Sequence, residues 1–265
     1  MLSDPARQLP RVVDRANRLQ IFGVAGIPET RPGDDLVQQI VDGLRSSGEV
    51  LVADDVVVVT HKIISKAEGR LVDLRQIEPS PFAIHLASVA DKDPRQIEVV
   101  LRESVRIVRM ARGVIISETR HGFICANAGV DASNVGEPDV VCLQPVDPNA
   151  SAERLREGLV EHSGVPVGVV VTDTFGRAWR NGVVNVAIGV AGLAALDDYR
   201  GQFDPNAYEL RATVLAVADE LAAAAELVMG KLARRPVAIV RGFGPLGQPG
   251  SGRDLVMDPA RDLFR

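Results

Sequence analysis

The chain has 265 residues, 46% hydrophobic and 25% charged, the proportions of a globular protein that buries a substantial core as one large domain or two lobes. Aromatics are only 4%, which leaves Val, Ile, Leu and Ala to fill the interior. A formal net charge of -5 argues against bulk nucleic-acid binding, so any anion site must be a local cluster of Arg and Lys. Residues 1–18 read as a loosely held arm, without the apolar core of a signal peptide. A short strand over 19–23 is followed by GIPETRPG, whose glycines and prolines fix a rigid non-helical loop. Asp34 and Asp35 then cap a helix whose apolar face is Leu36, Ile40, Val41 and Leu44, ended by Gly48.

A buried strand over 56–59 leads into THKIISKAEG, where hydroxyls alternate with lysines. Such a segment grips a phosphate by point charges or forms a solvated charged turn, and its composition alone favours the turn. Ile97, Val100, Leu101, Val105 and Val108 recur at helical spacing and predict one amphipathic helix over 95–111. After a strand over 113–116, Asp131 and Asn134 lie in one loop, VDASNVG, able to bind a ligand or to form an Asx-turn. Cys125 and Cys142 are the only cysteines; both sit in apolar surroundings and read as reduced thiols, and with four scattered His no zinc site is expected. A strand is predicted over 143–146 and a helix from 148 carrying Leu155 and Leu159.

Residues 165–192, VPVGVVVTDTFGRAWRNGVVNVAIGVAG, are the centre of the chain. The run 167–171 reads as a strand buried on both faces, stopping at Thr172-Asp173-Thr174. Asp173 and Thr174 offer hard oxygen ligands for a divalent cation, and Arg177 and Arg180 offer forked donors to oxyanions. The alternative is that Asp173 caps a turn and the arginines lie on a solvated face. Beyond a polar loop at 197–201, a long alanine-rich helix is predicted over 207–233 and a last strand over 237–240. The most apolar part of that helix, 221–229, carries Glu226, so no membrane span is expected and the protein is read as cytoplasmic. GFGPLG at 242–247 matches a dinucleotide fingerprint, but Pro245 interrupts it and no second βα unit has room after it. Gly230-Lys231 lacks the glycine-rich loop of a Walker motif.

Together GIPETRPGDDL, VVVTHKIISKAEGRLV, NAGVDASNVG, VVVTDTFGRAWRNGVVNVAIGVAGL, DDYRG, YELRATVLAVADELAAAAELVMGKL and PVAIVRG resemble the coenzyme F420-0:L-glutamate ligases, the gamma-glutamyl ligases of deazaflavin cofactor biosynthesis. The resembling segments run from about residue 20 to 242 in the family's order. The resemblance implies an α+β fold of mixed sheets and packed helices in two lobes, as an intertwined homodimer, with 19–265 as one ligase domain and no C-terminal flavin-dependent domain in this chain. It implies GTP-dependent, metal-assisted ligation of L-glutamate to the phospholactyl carboxylate of F420-0, then γ-linked addition to F420-1, through an acyl phosphate. Ile27, Pro28, Glu29, Thr30, His61, Lys66 and Asn134 would bind GTP, and the turn Met229-Gly230-Lys231 would close over it. Asp131, Asp173 and Thr174 would hold two divalent ions, Mg²⁺ or Mn²⁺, with K⁺ as a further cation. The catalytic set is then Asp131, Asp173 and Lys66, with Arg177 and Arg180 as candidates for substrate anions. His61 departs from the usual Ser or Gln, and Lys231 from a Gln. The other readings are a non-catalytic nucleotide- or deazaflavin-binding protein and a related ligase with a different acceptor.

Overall fold

The computed structural model describes residues 17–262 apart from Glu137, Pro245, Gly247 and Gln248, so most of the expected N-terminal arm lies outside the described residues. Its centre is a five-stranded sheet in the order β1 (Gln20–Val24), β12 (Val237–Arg241), β2 (Val56–Thr60), β8 (Gly168–Arg177) and β9 (Arg180–Ala191). Only β2 and β8 run parallel; the other neighbours are antiparallel.

The valine runs explain why these strands are central. In β2, Val57 and Val59 enter one apolar cluster while Val56 and Val58 enter another, the period-two alternation of a strand covered on both faces. Val169 and Val171 of β8 likewise face the first cluster, and Val170 the second. The first cluster is closed by α1 (Leu36–Ser46), α2 (His61–Ala67) and α5 (Pro148–Ser163), the second by α6 (Val217–Met229). Each fully buried Val or Ile contributes about 2 kcal/mol relative to exposure. A third cluster joins α3 (Pro81–Ala90) and α4 (Pro94–Glu103) to the three-stranded antiparallel sheet of β4 (Ser104–Ala111), β5 (Val114–Thr119) and β6 (Ile124–Ala126). β3 (Leu71–Asp73) pairs with β7 (Val140–Cys142), and β10 (Asp197–Asp198) with β11 (Val214–Leu215). The architecture is mixed α+β, as expected.

Five sequence expectations need correction. The segment THKIISKA is a helix, α2, and its Lys66 is 5% exposed, so it is neither a loop nor a solvated face. The helix expected over 95–111 ends at Glu103; residues 104–111 form β4, in which Arg106, Ile107, Arg109 and Met110 pair with β5 and Val105 and Val108 fall at breaks in the register. The strand expected over 143–146 lies earlier, at Val140–Cys142, opposite Leu71–Asp73. The helix expected over 207–233 is only Val217–Met229, its first part being taken by polar turns and β11. Finally, β8 does not stop at Thr172 but continues to Arg177 as one arm of a hairpin with β9. The dinucleotide pattern at 242–247 lies partly outside the described residues, and a short 3-10 turn, Gly252–Leu255, comes after it in place of a Rossmann helix.

Both cysteines are free and buried. Burial, reinforced by the negative charge of Asp173, pushes the Cys125 thiol up to about 12, and burial raises that of Cys142. At pH 8 a thiol with that value is ~0.01% thiolate, the nucleophilic form. Iodoacetamide at pH 8 should therefore leave the folded protein unlabelled and add two adducts in 8 M urea, read by intact mass. Rapid labelling of Cys125 in the native protein would contradict this burial.

Candidate active site

The parallel register of β2 and β8 builds the site. Thr60 pairs with Thr172, so the residues that follow them, His61 at the start of α2 and Asp173 within β8, lie at the same level. A β-bulge in the pairing of β8 with β9 falls between Val171 and Thr172, immediately before Asp173. Asp173 shares the parity of Val169 and Val171 and so faces α2, while Thr174 points to the opposite face.

On the α2 face, Asp173 Oδ2 accepts from Gln144 Nε2 at 2.8 Å and Oδ1 accepts from the Thr174 N–H at 2.6 Å. His61 Nε2 lies 3.4 Å from Oδ1, an electrostatic contact without hydrogen-bond geometry. Burial works to raise the Asp173 carboxyl, but the charge and contact of His61, then the Gln144 and Thr174 donors, outweigh it and hold it below the usual carboxylate range. Gln144 keeps its place because residue 129 is glycine: a Cβ there would come within 2.5 Å of the Gln144 amide nitrogen.

Helix α2 carries the remaining charges. Lys62 and Lys66 are four residues apart and share a helix face. Lys62 Nζ lies 2.6 Å from Asp131 Oδ2 and donates to Ser133 Oγ at 2.9 Å. Lys66 Nζ donates to the Asn134 carbonyl at 2.7 Å and to Glu29 Oε1. Asp131 is tied to Cys142 by two backbone hydrogen bonds, and its carboxylate accepts from the Ser133 N–H and hydroxyl at 2.7 and 2.9 Å. Burial raises the Asp131 carboxyl, yet Lys62 and these donors hold it below its ordinary value. For both aspartates the folded value lies below the unfolded one near ~3.9. Their contribution to stability is thus complete above that pH and is lost as pH falls through the lower folded value.

On the other face the Thr174 hydroxyl donates to Asn185 Oδ1 at 2.7 Å, Asn185 Nδ2 donates to Glu226 Oε2 at 2.7 Å, and Lys231 Nζ donates to Thr174 Oγ1 at 2.9 Å. Asp131, Asp173 and Thr174 are therefore not one three-ligand cage. Among the described residues no three His, Cys, Asp or Glu side chains form a metal-binding group. The donors nonetheless fit hard divalent ions of the kind that take one or two carboxylates and complete their shell with water and phosphate.

The structure brings Glu29, His61, Lys66, Asp131, Asn134 and Asp173 around α2, and Thr174 with Lys231 on the reverse face. It does not bring in the others. Ile27 and Thr30 are core side chains, Thr30 donating to Gln39, and Pro28 is exposed. Met229 is the buried last residue of α6, and Gly230 caps that helix. Arg177 and Arg180 flank the exposed hairpin tip, where Arg177 donates to the Asn181 carbonyl. Asn134 contributes its carbonyl, not its amide, to Lys66. Sequence reasoning missed Lys62, Gln144, Asn185 and Glu226. Only Lys62 had a readable signal, its i,i+4 spacing from Lys66, visible once the segment is taken as a helix.

Residues 25–242 match the family model described as F420-0:Gamma-glutamyl ligase. The chain is 43% identical over 250 residues to the coenzyme F420:L-glutamate ligase of Methanothermobacter thermautotrophicus, covering 93% of this chain and 99% of that one. It is 47% identical over 242 residues to the enzyme of the same name from Methanopyrus kandleri, covering 89% and 94%. The corresponding figures for the Haloarcula marismortui protein of that name are 44% over 254 residues, covering 93% and 96%. Identity of this order over nearly the full length of both partners places the chain in the F420-0:gamma-glutamyl ligase family.

Proposed function

We propose that the protein ligates L-glutamate to the phospholactyl carboxylate of coenzyme F420-0 and then adds glutamate in γ-linkage to F420-1, converting GTP to GDP and phosphate. Support comes from the family and from one structural observation: α2 presents two ammonium groups beside the Asp131 loop and an imidazole beside Asp173. A carboxylate and an amine do not condense at neutral pH, because the oxygen is too poor a leaving group. The acceptor carboxylate oxygen attacks the γ-phosphorus and GDP departs, giving an acyl phosphate. The glutamate amine then attacks the acyl carbon and expels phosphate, which keeps the bridging oxygen.

In this reading Lys66 holds a GTP phosphate, which must take the place of the Glu29 carboxylate on its ammonium. Lys62 orients the Asp131 loop, and Gln144 fixes the rotamer of Asp173. Asp131, Asp173 and Thr174 would hold Mg²⁺ or Mn²⁺, which neutralises phosphate charge as the bond breaks. The two faces of β8 suit two separate ions, and K⁺ is a further expected cation. Preference for GTP over ATP rests on the family. So does the intertwined homodimer, for which exposed Trp179, Leu227 and Leu232 offer apolar surface. A monomer by sedimentation at micromolar concentration would remove the dimer. The partners are small molecules, and among the described residues no helix is long and apolar enough to cross a membrane; a cytoplasmic location follows from the proposed pathway step.

Asp131→Asn and Asp173→Asn should each lower kcat by a factor on the order of 10² or more while circular dichroism stays native. Lys66→Ala should raise the KM for GTP about tenfold or more; an unchanged value would put the phosphates in another loop. The route itself is read with oxygen-18 in the acceptor carboxylate, which should appear in the released phosphate. Label in GMP, with pyrophosphate released, would replace the acyl phosphate by a nucleotidyl intermediate. Turnover of glutamate with a different acid but not F420-0 would establish the different-acceptor ligase, and binding without turnover the non-catalytic protein.

A further inference from the structure

On the reverse face of β8, Lys231, Thr174, Asn185 and Glu226 form one chain of hydrogen bonds. Lys231 Nζ donates to Thr174 Oγ1 at 2.9 Å, the Thr174 hydroxyl donates to Asn185 Oδ1 at 2.7 Å, and Asn185 Nδ2 donates to Glu226 Oε2 at 2.7 Å. Its two ends fix its direction. An ammonium only donates and a carboxylate only accepts, so Asn185 must turn its amide nitrogen to Glu226 and its oxygen to Thr174. The Thr174 hydrogen is thereby committed to Asn185, and the lone pairs of Oγ1 are left for positive partners. Thr174 and Asn185 stand opposite each other in the pairing of β8 with β9, and Asn185 is 4% exposed, so the sheet itself holds this oxygen in place.

A hydroxyl oxygen in that state suits a hard cation, and Lys231 already supplies a positive charge to it. The ammonium takes one lone pair, and an ion on the other would share the oxygen with a like charge. On the α2 face an incoming ion meets the carboxylates of Asp131 and Asp173. Here the oxygen offered is a neutral hydroxyl, and the Glu226 carboxylate stands one side chain away, behind Asn185. Unlike Asn185, Lys231 is exposed, in the turn that follows the Gly230 cap of α6. Its flexible stem can carry the charge into water without disturbing the helix.

We propose that the Lys231 ammonium is a tethered competitor of the cation at Thr174, so that the reverse face takes its ion second and more weakly than the α2 face. The inference rests on the reading that Thr174 is a cation ligand. Where divalent metal is scarce, the ammonium itself supplies the positive charge of this face. When an anion draws Lys231 away, the Thr174 oxygen becomes free to take an ion.

The test counts Mn²⁺ bound to the full chain without nucleotide, by the electron paramagnetic resonance of the free ion. Wild-type protein should show a tighter and a weaker site. Lys231→Met removes the charge and keeps the length of the side chain, and it should tighten the weaker site about tenfold or more while leaving the tighter one unchanged. Lys231→Arg keeps the charge and should behave as the wild type; tightening as large as that of Lys231→Met would overturn the inference. Adding Thr174→Val to Lys231→Met should abolish the weaker site. If Lys231→Met leaves a Thr174-dependent weaker site within about twofold of the wild type, the competitor fails and the cation reading of Thr174 stands. If Thr174→Val changes neither site in either background, the ion lies elsewhere, and the reading of Thr174 fails together with this inference.

Discussion

The parallel pairing of β2 with β8 is the constraint on which the site depends. Both strands are valine runs covered on both faces, and they pair in the parallel register that sets Thr60 opposite Thr172. That register brings His61 to Asp173 across 112 residues of sequence. Site geometry is here a by-product of hydrophobic register. Polar contacts such as that between Gln144 and Asp173 refine a position already set by the core.

Electrostatically the site is a set of paired opposites rather than a basic cluster. Lys62 stands on Asp131 and Lys66 on Glu29, while Lys231 donates to the neutral Thr174 hydroxyl. Burying Lys66 at 5% exposure is tolerable only because a carboxylate and a carbonyl satisfy its ammonium. In the proposed reading, a phosphate arriving at Lys66, or an ion arriving at Asp131, would therefore exchange one charged partner for another. The net cost of binding is set by what Glu29 and Lys62 find once released. The exposed side chain of Glu29 can turn to water, whereas Lys62 is itself mostly buried and must keep an acceptor close by.

Much of this was legible in the sequence. The strands at 20–24, 56–60 and 237–241 and the helices capped by Asp35 and Asp147 carry local signals, β-branched runs and side-chain caps, that the tertiary structure does not overrule. The helix α2 was not legible, because HKIISKA has only seven residues and buries His61, Ser65 and Lys66 along with Ile63 and Ile64, so no apolar face stands out. The strand β4 was lost for the opposite reason: its valines and isoleucines fall at spacings compatible with a helix, and only pairing with β5 decides. Among site residues, Asp131, Asp173 and Lys66 were found through motifs. Gln144, Asn185 and Glu226 act by orienting a neighbour, and no spacing in one chain encodes a contact such as that between Asn185 and Glu226.

The place of β2 in the sheet bears on how the protein is made. Its two neighbours, β8 and β12, begin at residues 168 and 237, so the segment VVVVT waits for more than a hundred residues of further synthesis before either edge can be paired. At ribosomal speeds of ~5–20 residues per second that wait lasts several seconds or longer. During it, an uncharged, β-prone edge is available to other nascent chains. The lysines at 62 and 66 that come immediately after it place positive charge beside that edge, the position of gatekeepers against aggregation.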